Sequence, residues 1–426
     1  MRFPIALLAA GALARRLLLR CNMAPRLRSA SVLHNVLPEE ALRVIMLALP
    51  VDARARAACV CRSWRAFLAD SSLWLVLDLT PAGGVAAERV TENLVRAAVA
   101  RAAGRLCVFS LNGLPDLDAC ALLVDVLDSD GAELQELNTN VRLTIEQLDA
   151  MLPLAPRLQV LNAFITGQCR ELLPLLRNDP PYGPLRVSDL YVRCSRFDVA
   201  DADVLAFAAA MASHEPLVAL AILEVHFARG LNAMVDAAAE RRVSQLVISY
   251  FCSTDAESIS ALTRILQHGS LTMLEVWADD FPDANEAGAL ELWAAVRACR
   301  TLTHLRLRLN PPDGATPRTV TELLDAAASL PALSELNVSE SWVQDTLAFG
   351  HALGALLRAN LPNLRTLRVP RCALREEDYA PLLDGLAANT HLRRLQCYDG
   401  HVSEQFYYDR LGPALAALAA RAALDA

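Results

Sequence analysis

Hydrophobic residues recur in one frame, L-x-x-L-x-L, from residue 106 towards the C-terminus. Complete or partial copies begin at Leu106, Leu134, Leu158, Val187, Leu220, Val243, Leu271, Leu302, Leu333, Leu364 and Leu392. Successive copies start 23 to 33 residues apart, and self-similarity at this period is typical of solenoid proteins. Alternation within each copy predicts a short strand with one buried side.

Between these frames, apolar residues recur at helical spacing, as at Val320, Leu323, Leu324 and Ala327. Each unit is therefore predicted to be one strand followed by one helix. A single unit cannot bury its apolar edge alone, so about eleven units are expected to stack, with a parallel sheet inside and helices outside. This α/β pattern resembles leucine-rich repeats of the longer, helix-backed type. The resemblance implies a solenoid over residues 106–426, ending in a helical cap after Pro413.

A different pattern precedes the repeats. Pro38 suits the first turn of a helix, and the residues after it are apolar at helical spacing as far as Leu49. A second helix is predicted from about Ala53 to Leu68, and residues 80–105 are predicted to be a linker and helical cap. About forty residues are too few for a self-sufficient core, so this module needs its neighbour or a partner.

Four blocks in this module, Leu37-Pro38, Leu49-Pro50, Val60-Cys61-Arg62-Ser63-Trp64-Arg65 and Leu73-Trp74, resemble the F-box motif in order and spacing. One departure is Ala53, where the motif usually has leucine. The resemblance implies that residues 34–79 are an F-box that docks on a Skp-type adaptor and, through it, a cullin. The repeats would then hold a target protein, so that the chain is the substrate-recognition subunit of an SCF-type E3 ubiquitin ligase and not itself an enzyme.

Carried onto this sequence, the resemblance assigns adaptor contacts to ten residues. They are Leu37, Pro38, Leu42, Ile45, Leu49, Pro50, Val60, Cys61, Trp64 and Trp74. Some of these must be core residues of the module, and the sequence does not separate the two groups. Two other functions stay open: a repeat scaffold in a non-ligase complex, and a receptor of the same family gated by a small molecule.

Alternate strand positions of the repeats are expected to point out of the concave sheet. These columns hold aromatic residues in the middle of the array and arginines towards its end: Tyr191, His226, Tyr250, Trp277, His304, Arg306, Arg308, Arg368, Arg371 and Arg394. Aromatic anchors beside clustered arginines are typical of a protein interface, and we expect them to bind the target. The alternative is that the aromatics lean on neighbouring strands while the arginines are only solvated.

Composition changes this picture in two ways. A formal charge of −8, with 54% hydrophobic residues, indicates a folded acidic protein and argues against nucleic acid as the main ligand. None of the 40 basic residues is lysine, although ubiquitin transfer normally needs a lysine amine. This absence either protects a receptor from modification by its own ligase or reflects codon bias in a GC-rich genome.

Candidate chemistry is sparse. The eleven cysteines include no CxxC pair, the eight histidines have no metal-ligand spacing, and P-loop and GxSxG motifs do not occur. We therefore expect no metal, no cofactor and reduced thiols, as in the cytoplasm or nucleus. Residues 1–33 form an N-terminal extension whose apolar run is too short to span a membrane. This extension is a targeting peptide, an unstructured segment, or untranslated if synthesis starts at Met23.

Overall fold

The computed structural model describes ten stretches of the chain: residues 38–112, 119–183, 185–193, 201–213, 217–223, 228–251, 256–278, 286–308, 314–397 and 402–424. The predicted N-terminal extension, Leu37 and His226 lie outside these stretches, as does the side chain of Tyr250. The described residues form two compact units. The first contains residues 38–165 and 178–188, and the second contains 166–177 and the residues from 189 onwards.

Helices alternate with strands along the chain. In the described residues the helices are α1 (Glu39–Leu47), α2 (Val51–Ala57), α3 (Arg62–Phe67), α4 (Glu92–Ala102), α5 (Ala119–Asp130), α6 (Ile145–Met151), α7 (Cys169–Leu176), α8 (Asp201–Ser213), α9 (Ala228–Glu240), α10 (Ala256–Gln267), α11 (Glu286–Ala298), α12 (Pro317–Ala328), α13 (Thr346–Arg358), α14 (Glu376–Ala388), α15 (Glu404–Phe406) and α16 (Gly412–Leu424). Short 3₁₀ turns lie between some of them, including Ser71–Leu73, and a π-helical turn separates α15 from α16.

The strands are β1 (Val76–Leu79), β2 (Val108–Leu111), β3 (Glu136–Thr144), β4 (Val160–Gln168), β5 (Arg186–Arg193), β6 (Ala219–Leu223), β7 (Gln245–Phe251), β8 (Met273–Ala278), β9 (His304–Arg308), β10 (Glu335–Asn337), β11 (Thr366–Arg368) and β12 (Arg394–Gln396). Within each unit the strands follow one another in sequence order: β1 to β3 lie in the first unit, β6 to β12 lie in the second, and β4 and β5 each have residues in both. The pairs β1–β2 and β2–β3 are parallel, and so are all the pairs from β5 to β12.

The hydrophobic frame predicts these strands well. Each of its eleven copies coincides with a strand from β2 to β12, and its leucines, such as Leu305 and Leu336, are buried. The stripe Val320, Leu323, Leu324 and Ala327 is the buried face of α12. The described chain is therefore the helix-backed α/β solenoid that the repeat pattern indicates.

The sheet begins earlier than the frame indicates. Strand β1 starts two residues after Trp74, within the residues predicted to be the F-box, and pairs in parallel with β2. Residues 80–105 include α4, which therefore lies between two paired strands as the helix of a first repeat. The sequence hides this repeat because only Leu77 and Leu79 of its frame are leucines.

The F-box module also differs from its prediction at one point. The single helix expected from Ala53 to Leu68 is two helices, α2 and α3. Cys61 is extended between them and its sulfur accepts a hydrogen bond from the Trp64 backbone N–H at 3.4 Å. This bond caps α3, so the chain turns at the cysteine even though the apolar spacing continues through it.

Candidate functional site

Three of the residues assigned to adaptor binding form the core of the F-box module. Trp74 is fully buried, and Leu42 and Leu49 are buried as well. The Trp74 indole Nε1 donates a hydrogen bond to the Leu68 carbonyl oxygen at 2.9 Å. We had expected Trp74 to contribute to a surface that an adaptor covers. Its complete burial corrects that expectation, because the ring presents no surface to a partner.

Two arginines hold the Trp74 ring. The guanidinium carbon of Arg54 lies 5.5 Å from the ring centroid, and that of Arg101 on α4 lies 5.2 Å from it. Arg54 is itself buried and donates hydrogen bonds to the carbonyl oxygens of Leu49 and Leu73. Its burial lowers the pKa of Arg54. Cation–π contacts and charge-assisted hydrogen bonds thus tie α2, the 3₁₀ turn and α4 together.

A second polar junction joins α1 to the 3₁₀ turn. Arg43 donates to Asp70 and to Ser72. Asp70 also accepts hydrogen bonds from the Ser72 backbone N–H at 2.9 Å and from the Ser72 hydroxyl at 2.8 Å. These bonds to Ser72, together with the nearby charge of Arg43, lower the pKa of Asp70. The outer face of α1 is therefore held in a defined orientation.

Sequence reasoning missed two of the most exposed apolar residues of the module. Val44 and Leu47 lie one turn apart on α1 and are 51% and 50% exposed. Their signal was present in the sequence, because both residues interrupt the polar side of an otherwise amphipathic helix. An exposed pair of this kind in a folded module is typical of a contact surface.

The other assigned residues lie between core and surface. Pro38 is exposed, whereas Ile45, Pro50, Val60, Cys61 and Trp64 are partly exposed. The Trp64 indole Nε1 is buried, and no residue of the described chain accepts a hydrogen bond from it. An unsatisfied buried N–H costs roughly 1–3 kcal/mol. Because this N–H is buried, only the exposed part of the Trp64 ring can contact a partner.

The first unit also has an open cleft of about 530 Å³ beside α2. Its lining consists of Asp52, Ala55, Arg56, Cys59, Arg89 and Leu94. The Asp52 carboxylate is buried and forms ion pairs with Arg56 at 3.1 Å and Arg89 at 3.4 Å. Both arginines that line the cleft are therefore engaged by one buried carboxylate.

In the second unit, strand register brings several of the predicted target-binding residues together. Leu305 and Leu307 are buried, whereas His304, Arg306 and Arg308, which alternate with them along β9, are partly exposed. We call the face that carries these partly exposed positions on β8 to β12 the open strand face. Trp277 lies on it in register with Arg308. Tyr191 on β5 is partly exposed, and Arg394 on β12 is exposed.

Two arginines of the open strand face, Arg306 and Arg368, are paired with carboxylates. Arg306 Nη1 lies 3.0 Å from Glu275 Oε2, and Arg306 Nε lies 3.0 Å from Glu335 Oε1. Arg368 Nε lies 3.4 Å from the same Glu335 oxygen. Burial alone would lower the pKa of Arg306, but the two glutamates raise it above its ordinary value. Arg306 and Arg368 are therefore parts of an ion-pair network and are not merely solvated, and target binding by them stays a prediction.

Two features lie at the loops that follow the strands. Arg371 donates to Glu340 at 2.7 Å, so it too is paired. Trp342, after β10, is 54% exposed. Sequence reasoning missed Trp342 because it lies beyond the hydrophobic frame, where the pattern predicts only a connecting loop.

A known protein family matches the N-terminal module. Residues 34–80 match the family model described as F-box-like. The chain therefore carries an F-box-like domain ahead of its repeats. No curated protein matches the chain at a significant level. No helix within the described ranges is both long enough and apolar enough to cross a membrane.

The comparison with solved structures includes two matches of low similarity. One is the crystal structure of the Rad7 and Elc1 complex in yeast, with 17% identity, 76% of this chain and 86% of that chain covered, and a TM-score of 0.45. The other is the TLR13–ssRNA13 complex, with 14% identity, 73% and 52% coverage, and a TM-score of 0.37.

Proposed function

We propose that this chain is the substrate-recognition subunit of an SCF-type ubiquitin ligase. Its F-box-like domain docks on a Skp-type adaptor, and the adaptor brings a cullin. Its repeats bind the protein that is to be ubiquitinated. The chain carries out no chemistry of its own and acts by raising the effective concentration of the target near the charged conjugating enzyme.

The observation that carries this proposal is the exposed pair Val44 and Leu47, in a domain that matches the F-box-like model. Burying two half-exposed aliphatic side chains contributes roughly 1 kcal/mol each to association. Pro38 is exposed and lies just before the same helix. Trp64 is partly exposed, so part of its ring can add apolar contact area to the same surface.

The adaptor surface is thus assigned to Pro38, Val44, Leu47 and Trp64, with Ile45, Pro50, Val60 and Cys61 at its margin. Trp74, Leu42 and Leu49 support this surface from inside the domain. This division separates residues that the motif alone does not distinguish. A Leu49→Ala variant would therefore weaken the core as well as the surface, and it is not a suitable test of docking.

Co-expression with a Skp-type adaptor tests the proposal. The wild-type chain should co-purify with the adaptor and, when a cullin is added, with the cullin. The Val44→Asp/Leu47→Asp variant should lose both proteins while its repeats stay folded. Adaptor binding without cullin recruitment would instead favour a scaffold in a non-ligase complex.

A further inference from the structure

A ladder of alternating charges crosses four neighbouring strands of the second unit. Glu275 on β8, Arg306 on β9, Glu335 on β10 and Arg368 on β11 form it. The Nε atoms of Arg306 and Arg368 both lie within 3.4 Å of one Glu335 oxygen. The two guanidinium groups are therefore neighbours, although their residues are 62 positions apart in the sequence.

The carboxylates of this ladder lie deeper than the guanidinium groups. The side chains of Glu275 and Glu335 are 16% and 12% exposed, whereas those of Arg306 and Arg368 are 27% and 30% exposed. The ion pairs use Nε and Nη1 of Arg306 and only Nε of Arg368. The remaining N–H groups of two preorganised forks are therefore available at the open strand face.

The charge of the open strand face differs from that of the whole chain. Three arginines, Arg306, Arg368 and Arg394, lie there with two glutamates, Glu275 and Glu335, so these five side chains carry a net charge of +1. The complete chain has a net charge of −8. Exposed charges more than about 8 Å away are largely screened at physiological salt. A bound group therefore interacts mainly with the local positive charge.

An aromatic side chain borders the ladder. Trp277 lies two residues after Glu275 on β8, in register with Arg308. Its ring is partly exposed, and within the described chain its indole Nε1 has no hydrogen-bond acceptor. Because this N–H is buried, the face offers the exposed apolar part of the Trp277 ring beside the positive charges. Residues of this kind are the usual anchors of protein interfaces.

We propose that Arg306 and Arg368, positioned by Glu275 and Glu335, form an anion clamp that binds an acidic side chain in an extended segment of the target protein. The anion is a carboxylate or a phosphate, since both match the donors of an arginine fork. Trp277 packs against a neighbouring apolar residue of that segment. The three strand spacings from β8 to β11 span about 14 Å, which about four extended residues cover. This inference rests on the proposed function, because it takes the ligand to be part of the target protein.

An array of immobilised dodecapeptides tests this clamp with the full-length chain. The central position is aspartate, glutamate or phosphoserine in the acidic arms, and asparagine, glutamine or serine in matched neutral arms. Leucine or alanine occupies one position within four residues of the centre, and the other positions are randomised. The wild-type chain should bind acidic peptides at least tenfold better than neutral ones, and leucine should improve binding over alanine. Comparing phosphoserine with aspartate and glutamate shows which anion it prefers.

The Arg306→Gln/Arg368→Gln variant should lose this preference, with binding to acidic peptides weakened by about 10- to 100-fold. The matched control is Arg264→Gln/Arg297→Gln, which removes two arginines that also pair with carboxylates but lie on helices. The control should bind like the wild type. Equal binding of acidic and neutral peptides by the wild type, or an unchanged preference in the clamp variant, would overturn the proposal.

A Glu335→Gln variant tests whether the arginines must be positioned. It adds to the net positive charge of the face, so charge alone predicts stronger binding of acidic peptides. A positioned clamp predicts weaker binding, because Glu335 is the residue that orients both guanidinium groups. Stronger binding would overturn the assignment of a clamp. None of these variants touches α1, so adaptor binding by the same proteins shows separately whether the proposed function holds.

Discussion

The guanidinium group of Arg54 lies over the ring of Trp74, with 5.5 Å between its central carbon and the ring centroid. Arg54 also donates to the carbonyl oxygens of Leu49 and Leu73. One buried cation thereby joins two of the F-box blocks that stand out in the sequence, Leu49-Pro50 and Leu73-Trp74. These two blocks contribute to the core of the domain, whereas the proposed adaptor surface includes residues outside the motif, on the outer side of α1.

Replacing Trp74 with alanine should destabilise the F-box-like domain. The substitution leaves a large cavity and removes the aromatic face from two arginines, so we expect a loss of roughly 3–5 kcal/mol. Chemical unfolding followed by circular dichroism measures this loss. Val76→Ala is a suitable control, because Val76 is two residues away and half exposed. A Trp74→Ala variant that unfolds like the wild type would contradict the assignment of Trp74 to the core.

Reversing the charge of Arg306 should destabilise the repeats. An Arg306→Glu variant places a third carboxylate beside Glu275 and Glu335 and removes the cation between them. Breaking a buried ion pair costs roughly 3–5 kcal/mol, and the partial exposure of Arg306 reduces this to roughly 2 kcal/mol. An arginine that is only solvated, the alternative that the sequence leaves open, would give an unchanged stability. Thermal unfolding distinguishes the two outcomes, and Arg394→Glu, at an exposed position of the same face, should have little effect.

Acid should weaken the junction between α1 and the 3₁₀ turn. The pKa of Asp70 is lowered in the folded chain, so its contribution to stability is present above the pKa of an unfolded aspartate, about 3.9. That contribution is lost as the pH falls through the lower, folded value. The difference in unfolding free energy between the wild type and Asp70→Asn should therefore become smaller as the pH is lowered from about 6 to about 3. A difference that stays constant over this range would rule out the ionised carboxylate as its source.

Added lysines should make the chain a substrate of its own ligase. Arg318 on α12 and Arg358 on α13 are exposed, and arginine-to-lysine changes there keep the charge while supplying an amine. In a reconstituted reaction, the Arg318→Lys/Arg358→Lys variant should acquire ubiquitin through new isopeptide bonds. The Arg318→Gln/Arg358→Gln variant should behave like the wild type. Equal modification of all three proteins would show that the absence of lysine has no protective effect.

The sequence predicts the repeats better than it predicts the surfaces. Each frame leucine is buried by contacts within its own repeat and the next, so a periodic pattern suffices to locate β2 to β12. The break at Cys61 is not predicted, because Val60, Trp64 and Leu68 keep helical spacing across it. The hydrogen bond from the Trp64 backbone N–H to the Cys61 sulfur starts a new helix there.

The candidate sites depend on contacts between distant residues. Glu275 and Glu335 are neither aromatic nor basic, and nothing in their own repeats marks them as partners of Arg306. Only the register of β8, β9 and β10 brings them together. The adaptor motif has the opposite difficulty, because it selects core and surface residues alike. Solvent exposure in the folded domain is what separates Trp74 from Val44.

Docking of the F-box-like domain on an adaptor is tested most directly by an equilibrium binding measurement. Isothermal titration of a purified Skp-type adaptor into the wild-type chain, the Val44→Asp/Leu47→Asp variant and a Leu205→Asp/Leu347→Asp control compares matched changes. The control replaces exposed leucines of the repeats. We predict an affinity about 100-fold weaker for the α1 variant and an unchanged affinity for the control. Equal affinities for the wild type and the α1 variant, with both proteins folded, would contradict the proposed docking surface.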